Sequence, residues 1–390
     1  MRKLSVLTAI VFSLNAVYAQ RADVKKEFNY AQQQATAMLQ QIPGSETTSG
    51  PVMPRTFENG KLKLVTSRDW TSGFFPGILW YLYDYTKDQK WLNEAKVSTS
   101  KLEKEQFNKG THDLGFMIYC SYGNGYRLTK NEDYKTVIIQ AAKSLSTRFN
   151  PKVGLIRSWD HNGDIWKYPV IIDNMMNLEL LFEATKFSGD SSFYKIAVSH
   201  ADNTLKNHFR ADASSFHVVD YNPETGAVNE KVTHQGYANN SAWARGQAWG
   251  LYGFTMCYRF THDKRYLEQA NKIASFILNN PNLPKDLVPY WDYNDPAIPN
   301  TSRDASAAAI TASALYELAK YSNPKLYQKK ADAILKSLST AYHTPVNAGH
   351  NFILVHSTGH RPAKSEIDVP LNYADYYYLE ALLRSRGKGK

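Results

Sequence analysis

The chain has 390 residues, 43% hydrophobic and 21% charged, which allows one large domain or two ordinary ones and excludes an intrinsically disordered polymer. Aromatic residues reach 13%, with 26 Tyr and 8 Trp, a content that suits ring-shaped ligands and equally an aromatic-rich core. The formal charge of +10 comes from Lys and Arg spread over many segments with no dense basic arm, so no nucleic-acid partner is expected and an acidic substrate accounts for the charge.

The first stretch, MRKLSVLTAIVFSLNAVYAQ, carries Arg2 and Lys3, then an apolar run from Leu4 to Val17, then Val-Tyr-Ala. This pattern predicts a secretory signal over residues 1–19, cleaved after Ala19, with residues 20–390 forming a single domain of formal charge +8. No Cys follows the expected cleavage site and no later apolar run is long enough to span a membrane. An exported, soluble protein of the bacterial periplasm is therefore expected, with no membrane partner. Cys120 and Cys257 lie in apolar helical runs, which favours two buried thiols over one disulfide.

Helical periodicity dominates the rest, and strand signals are weak. In chain order the expected helices are 24–41, 72–86, 89–107, 114–128, 131–148, 174–187, 191–209, 241–260, 263–280, 304–321, 324–341 and 370–386. A repeat runs through them: an apolar helix ends in a short polar turn, and a second helix starts near an aromatic residue, at Trp91, Tyr134, Tyr194, Tyr266 and Tyr327. Asp88, Asp133, Asp190, Asp263 and Asn323 are placed to cap the second helix of each pair. The second helices are amphipathic and Lys-rich, whereas the first ones are apolar almost all round and so should be buried. An inner and an outer ring follow: an all-α, (α/α)6 barrel, a toroid of six helical hairpins. A solenoid of stacked pairs is the alternative, disfavoured because polar capping repeats are missing.

The outer-to-inner connections are long, at 42–71, 149–173, 210–240, 281–303 and 342–369. Long loops in a compact domain usually carry function, and these all lead into inner-helix N-termini at one end of the toroid. Asp69, Asp113, Asp173, Asp304 and Asp368 sit at those entrances. Each could be an ordinary helix cap, and that reading is strongest for Asp69 and Asp304. Asp173, between YPVII and NMMNLELLF, should be buried, with a raised pKa that a nearby Asp113 would raise further. Such a pair suits general acid chemistry.

Metal and cofactor patterns are missing: there is no CxxC, HExxH or phosphate-cradling Gly loop, and DHNGDIW from Asp160 fails as a calcium loop because its twelfth position is Ile171. Neither a metal nor a cofactor is expected. In SAWARGQAWGLYG, Ala242, Gly246, Gly250 and Gly253 form a small-residue stripe for close helix packing. Beside it Arg245 and Trp249 share one face, as do Trp243 and Gln247. Arg can grip a carboxylate and Trp can stack on a sugar, or the Arg pairs with a barrel Asp and the Trp residues fill core.

HDLGF, IIDNMMNLELL, HQGY, SAWARGQAWGLYG and SEIDVP…YADYYYLEALLR together resemble the unsaturated glucuronyl hydrolases of glycoside hydrolase family 88. The matches run in order from about Trp70 to Arg384, and WARGQAW separates the chain from the unsaturated rhamnogalacturonyl hydrolases, which share barrel and chemistry. The resemblance implies an (α/α)6 barrel and hydrolysis of a 4,5-unsaturated uronic acid at the non-reducing end of a lyase-made oligosaccharide. It implies protonation at C4 by Asp173, supported by Asp113, with water adding at C5. It places Arg245, Gln235, His217, Trp243 and Trp249 against the unsaturated ring, with Trp70, Trp159 and His112 lining the pocket. Ser357, Thr358, His360, Arg361 and Lys364 fall where relatives meet the leaving sugar and any sulfate it carries. The implied partner is an anionic oligosaccharide, sulfated or not. Asn239 and Asn240 stand where many relatives would have an acidic residue.

Overall fold

A computed structural model describes residues 21–42, 50, 52–345, 348 and 350–387; the expected signal segment 1–19 lies outside the described residues. Among them the helices fall where the periodicity places them. Inner helices are α2 (Phe74–Thr86), a π-helix Gly115–Gly123 running into α4 (Asn124–Thr129), α6 (Leu178–Ser188), α8 (Ala244–Thr261), α10 (Ala305–Leu318) and α12 (Asn372–Ser385). Outer helices are α1 (Val24–Gln41), α3 (Gln89–Ser100), α5 (Glu132–Ser146), α7 (Ser191–Asn207), α9 (Lys264–Asn279) and α11 (Pro324–Ala341).

The inner helices pack in sequence, α2 on the π-helix, the π-helix on α6, α6 on α8, α8 on α10 and α10 on α12. Then α12 packs back on α2, so the ring closes and the solenoid alternative is excluded. The first outer helix bridges the seam: α1 rests on α2, Glu27 accepts from Tyr378 Oη of α12 at 2.8 Å, and Arg21 pairs with Asp332 of α11 at 3.0 Å. Burial explains the two rings. Every residue of α10, ASAAAITASALYEL, is buried, whereas α9 buries only one face. Cys120 and Cys257 are both buried thiols, with no disulfide between them.

Capping mostly follows the expected residues. Asp88, Asp190 and Asp263 accept the backbone N–H two residues on. At α5 the cap is Asn131; Asp133 lies in the first turn, where its charge faces the positive helix end. Asn323 adopts a left-handed conformation (φ 44°) and makes no side-chain cap bond; Pro324 starts α11 instead.

The long loops are less irregular than the sequence suggests. They carry short antiparallel pieces: β1 (Met53–Glu58) with β2 (Lys61–Val65), β3 (Phe149–Asn150) with β4 (Leu155–Ile156), a three-stranded sheet of β5 (Pro169–Ile171), β6 (Val218–Tyr221) and β7 (Val228–Val232), and β8 (Ser357–His360) with β9 (Ser365–Val369). Strands of two to six residues are too short to show alternation, which is why the periodicity missed them. The central sheet ties the loop before α6 to the loop before α8 across the mouth of the barrel.

Candidate active site

The mouth opens into a solvent-open cleft lined by charged, polar and aromatic side chains. Asp113 and Asp173 line it, as does Glu366. Strand register delivers Asp173: Ile171 pairs with Val218, Ile172 N–H then bonds the His217 carbonyl at 3.1 Å, and a 3-10 turn, Ile172–Asn177, follows at once. This sets Asp173 beside His217.

Asp113 is set by the turn before the π-helix. Thr111 Oγ1 accepts from its backbone N–H at 3.0 Å and donates to its carboxylate at 3.1 Å, and Asn177 donates from 3.5 Å. Asn177 gets this close because Gly115 has no side chain: a Cβ there would lie 2.5 Å from the Asn177 Cα. A π-helix starting at this point fits the tendency of such bulges to mark functional sites.

The environment keeps both carboxyls protonated to unusually high pH. Burial raises Asp173 to about 7; the Arg245 charge opposes this and Asp113 adds to it. Burial likewise raises Asp113 to about 7, against hydrogen bonds from Thr111 and Asn177. His217 Nδ1 accepts two backbone N–H groups, from His234 at 3.0 Å and Gln235 at 3.1 Å, so the ring proton resides on Nε2. That Nε2 faces Asp173 Oδ2 at 3.7 Å. Burial holds the imidazole neutral, far below its ordinary pKa. Trp249 contributes a second buried N–H toward the same carboxyl, and none of these three polar atoms has a full hydrogen-bond partner.

Of the residues named from sequence, Trp70, His112, Asp113, Trp159, Asp173, Gln235, Arg245 and His360 line the cleft together. His217, Trp243 and Trp249 form a layer behind it: Trp243 lies between His217 (4.7 Å, rings tilted) and Arg245 (4.6 Å), and Trp249 packs on Phe116 at 5.2 Å. Gly246 makes room for Trp243, and Gly253 for Met175, so the small-residue stripe serves packing, in part of the helix's own cap residue.

Arg245 joins both alternatives left open by the sequence. It pairs with the barrel carboxylate Asp304 at 2.9 Å, donates to the carbonyls of Thr358 and Gly359, and still lines the cleft. Asp304 also caps α10, as a helix start would require. Asp69 instead pairs with Arg55 at 2.8 Å, and Asp368 lies exposed against His356.

The β8–β9 hairpin brings His360, the Gly359 backbone and Glu366 into the cleft. Ser357 is buried, Thr358 Oγ1 bonds the Arg303 carbonyl at 2.8 Å, Arg361 turns toward Ser302 and Asp295, and Lys364 is exposed in the turn. The alternation of a strand and its tight turn separates these near neighbours.

Several cleft residues escaped the sequence reading: Arg55, His161, His234, Glu366 and Tyr373. Arg55 of β1 grips Glu366 of β9 through two bonds, at 2.6 and 2.9 Å, linking loops 311 residues apart. HQGY contained His234, but only the β7 turn, folded against Trp159 and His360, reveals its position. Among the described residues, no cluster of three or more His, Cys, Asp or Glu is placed to hold a metal ion.

Comparison with known proteins agrees with this geometry. The chain is 53% identical over 324 residues, 83% of its length and 81% of the relative's, to an unsaturated glucuronyl hydrolase of Formosa agariphila (strain DSM 15362 / KCTC 12365 / LMG 23005 / KMM 3901 / M-2Alg 35-1). It is 35% identical over 341 residues, 85% of each chain, to an unsaturated chondroitin disaccharide hydrolase of Streptococcus pneumoniae (strain ATCC BAA-255 / R6). Its fold superposes, with a TM-score of 0.89 and 48% identity over 93% of this chain and 97% of the other, on the crystal structure of an unsaturated glucuronyl hydrolase specific for heparin. The model of Glycosyl Hydrolase Family 88 matches residues 48–389, and with an (α/α)6 barrel and paired carboxyls at its mouth the chain belongs to that family.

Proposed function

We propose that this glycoside hydrolase removes the 4,5-unsaturated uronic acid from the non-reducing end of lyase-made oligosaccharides, glycosaminoglycan products among them. The observation that carries the reading is a carboxylic acid, Asp173, that burial holds at a pKa of about 7 in an open cleft. Protonating an electron-rich alkene needs such a neutral acid, poised near working pH.

In the reaction Asp173 gives its proton to C4 of the vinyl ether. A water oxygen bonds to C5, and the proton lost by that water returns to the Asp173 carboxylate. The hemiketal at C5 then opens, breaking the bond from C5 to the ring oxygen. The hemiacetal left at C1 collapses to an aldehyde and releases the neighbouring sugar as an alcohol. One water is consumed and the carboxyl is regenerated. The rule relating carboxylate separation to stereochemistry does not apply, because attack is not at C1.

Asp113 in this reading keeps the Asp173 proton in place and helps orient the water. Arg245 and Gln235, joined through the Gly359 carbonyl, bind the uronate carboxylate. Trp70 and Trp159 offer flat faces to the sugar rings, and His112 closes the wall beside Asp113 at 3.3 Å. Contact with the leaving sugar falls to His360. Trp243, Trp249 and His217 support the reacting residues from behind. Export to a periplasm belongs to the same reading.

The test is the ultraviolet absorbance of the conjugated uronate. It falls when the protein meets chondroitin, hyaluronan or heparin lyase products, and persistence of the signal on all of them overturns the reading. Sulfated and unsulfated members of the same panel decide whether the leaving sugar must carry sulfate.

A further inference from the structure

Arg148, just past the C-terminus of α5, makes no appearance in the reaction above, yet it has an unusual set of partners. Its side chain is 6% exposed. Nε donates to the Arg157 carbonyl at 2.9 Å. One terminal nitrogen donates to the Lys109 carbonyl and to Asp160 Oδ2, both at 2.8 Å. The other donates to the Ser158 carbonyl at 3.3 Å and to Asp160 Oδ1 at 3.0 Å. A guanidinium has five N–H donors in a rigid fork, and these bonds use the full set.

The partners fall in two groups. Arg157, Ser158 and Asp160 surround Trp159, whose ring lines the cleft and contacts His234 at 5.2 Å and His217 at 5.9 Å. Lys109 begins the segment that reaches Thr111, His112 and Asp113. One buried cation therefore clamps two loops from different hairpins, one carrying a sugar platform and the other a carboxyl of the acid pair.

We propose that Arg148 is a positioning residue for the reaction, fixing the Trp159 loop against the Asp113 loop through its fully used guanidinium. Arg148 touches no reacting atom. It sets the distance between the sugar platform and the carboxyl pair, and misplacement by about 1 Å can cost on the order of a hundredfold in rate. Lys cannot replace it, because a single ammonium cannot reach acceptors spread over both loops. The inference rests on the proposed reaction for its kinetic consequence, but not for its structural one.

The test therefore has two arms. Hydrogen exchange on R148A and R148K, without substrate, is expected to quicken over residues 109–113 and 156–161 while α8, α10 and α12 keep wild-type protection. Unchanged exchange in both segments overturns the proposal whether or not the protein turns over any lyase product. In the kinetic arm, R148A loses about a hundredfold in kcat/KM, with KM and kcat both affected because a platform and a catalytic carboxyl both move. Added guanidinium restores part of the rate and an equal concentration of sodium chloride does not. R148A/W159A has the KM of W159A alone. R148A within about threefold of wild type, or additive effects on KM in the double variant, defeats the proposal even where the wild-type protein is active. A wild-type protein inactive on all products defeats the reaction assigned above, and the exchange experiment still decides the role of Arg148.

Discussion

The two ends of the barrel axis hold buried carboxyls in opposite states. At the mouth, Asp113 and Asp173 have hydrogen bonds or near contacts but no cation of their own, and Arg245 is already taken by Asp304. Away from the mouth, Glu179 in the first turn of α6, Glu317 in the last turn of α10 and Glu380 of α12 are buried too. There Arg259 pairs with Glu179 (2.5 Å) and Glu317 (3.0 Å), and Arg384 pairs with Glu317 (2.9 Å). Tyr81 and Ser313 donate to Glu380 at 2.8 and 2.6 Å. Both cations also sit in last helical turns, where the helix end favours positive charge. Burial alone does not make an acid catalyst. In the proposed reaction the acid is a deep carboxyl from which the fold withholds a counter-ion while leaving it a path to solvent.

This contrast can be broken from either end. The largest effect belongs to the mouth: Asp173→Asn is expected to lower kcat by roughly a thousandfold, the scale of a lost general acid, while helical circular dichroism is unchanged. Wild-type-like decay of the uronate absorbance in this variant would refute the acid assignment. At the base, Glu317→Gln removes the carboxylate shared by the half-buried Arg259 and the buried Arg384. It should cost about 3–5 kcal/mol in denaturant unfolding, with kcat nearly untouched in the fraction that folds.

Smaller shifts sharpen the picture. Replacing Asp113 by Asn removes a like charge that helps raise Asp173, so the alkaline limb of the pH–kcat profile moves to lower pH. A limb that moves upward, or stays put, would detach Asp113 from the titration. The weakest expected effect is on stability. The folded state holds protons on Asp113 and Asp173 up to about pH 7, whereas an unfolded carboxyl releases its proton near 4. The folded form thus binds more protons between these limits, and stability falls as pH rises through that window. Melting temperatures of Asp173→Asn should decline less steeply over the same range than those of wild type.

How much of this was legible in the sequence follows from chain physics. The twelve helices were, because apolar periodicity and polar turns repeat, and ring closure followed from helices apolar on every face. Asp113 and Asp173 were legible because each precedes an inner helix, where the end of the barrel is fixed by topology. Arg55, Glu366 and His234 were not, since their meeting depends on hairpins too short for a period and on loops hundreds of residues apart. Trp243 and Trp249 read as sugar platforms, yet a helix start and the Phe116 ring cover them. Sequence spacing gives the face of a helix, not what the loops above it leave open. Ser357 and Thr358, buried in β8, and Arg361 and Lys364, in the turn after it, teach the same lesson for a hairpin.

Closure of the ring, with α12 returning to α2 and α1 laid across the seam, leaves no hairpin with a bare flank. An open stack of helical pairs can peel from its terminal unit inward. Here every unit is internal, so loss of one exposes two apolar faces at once, and melting should proceed in a single cooperative step.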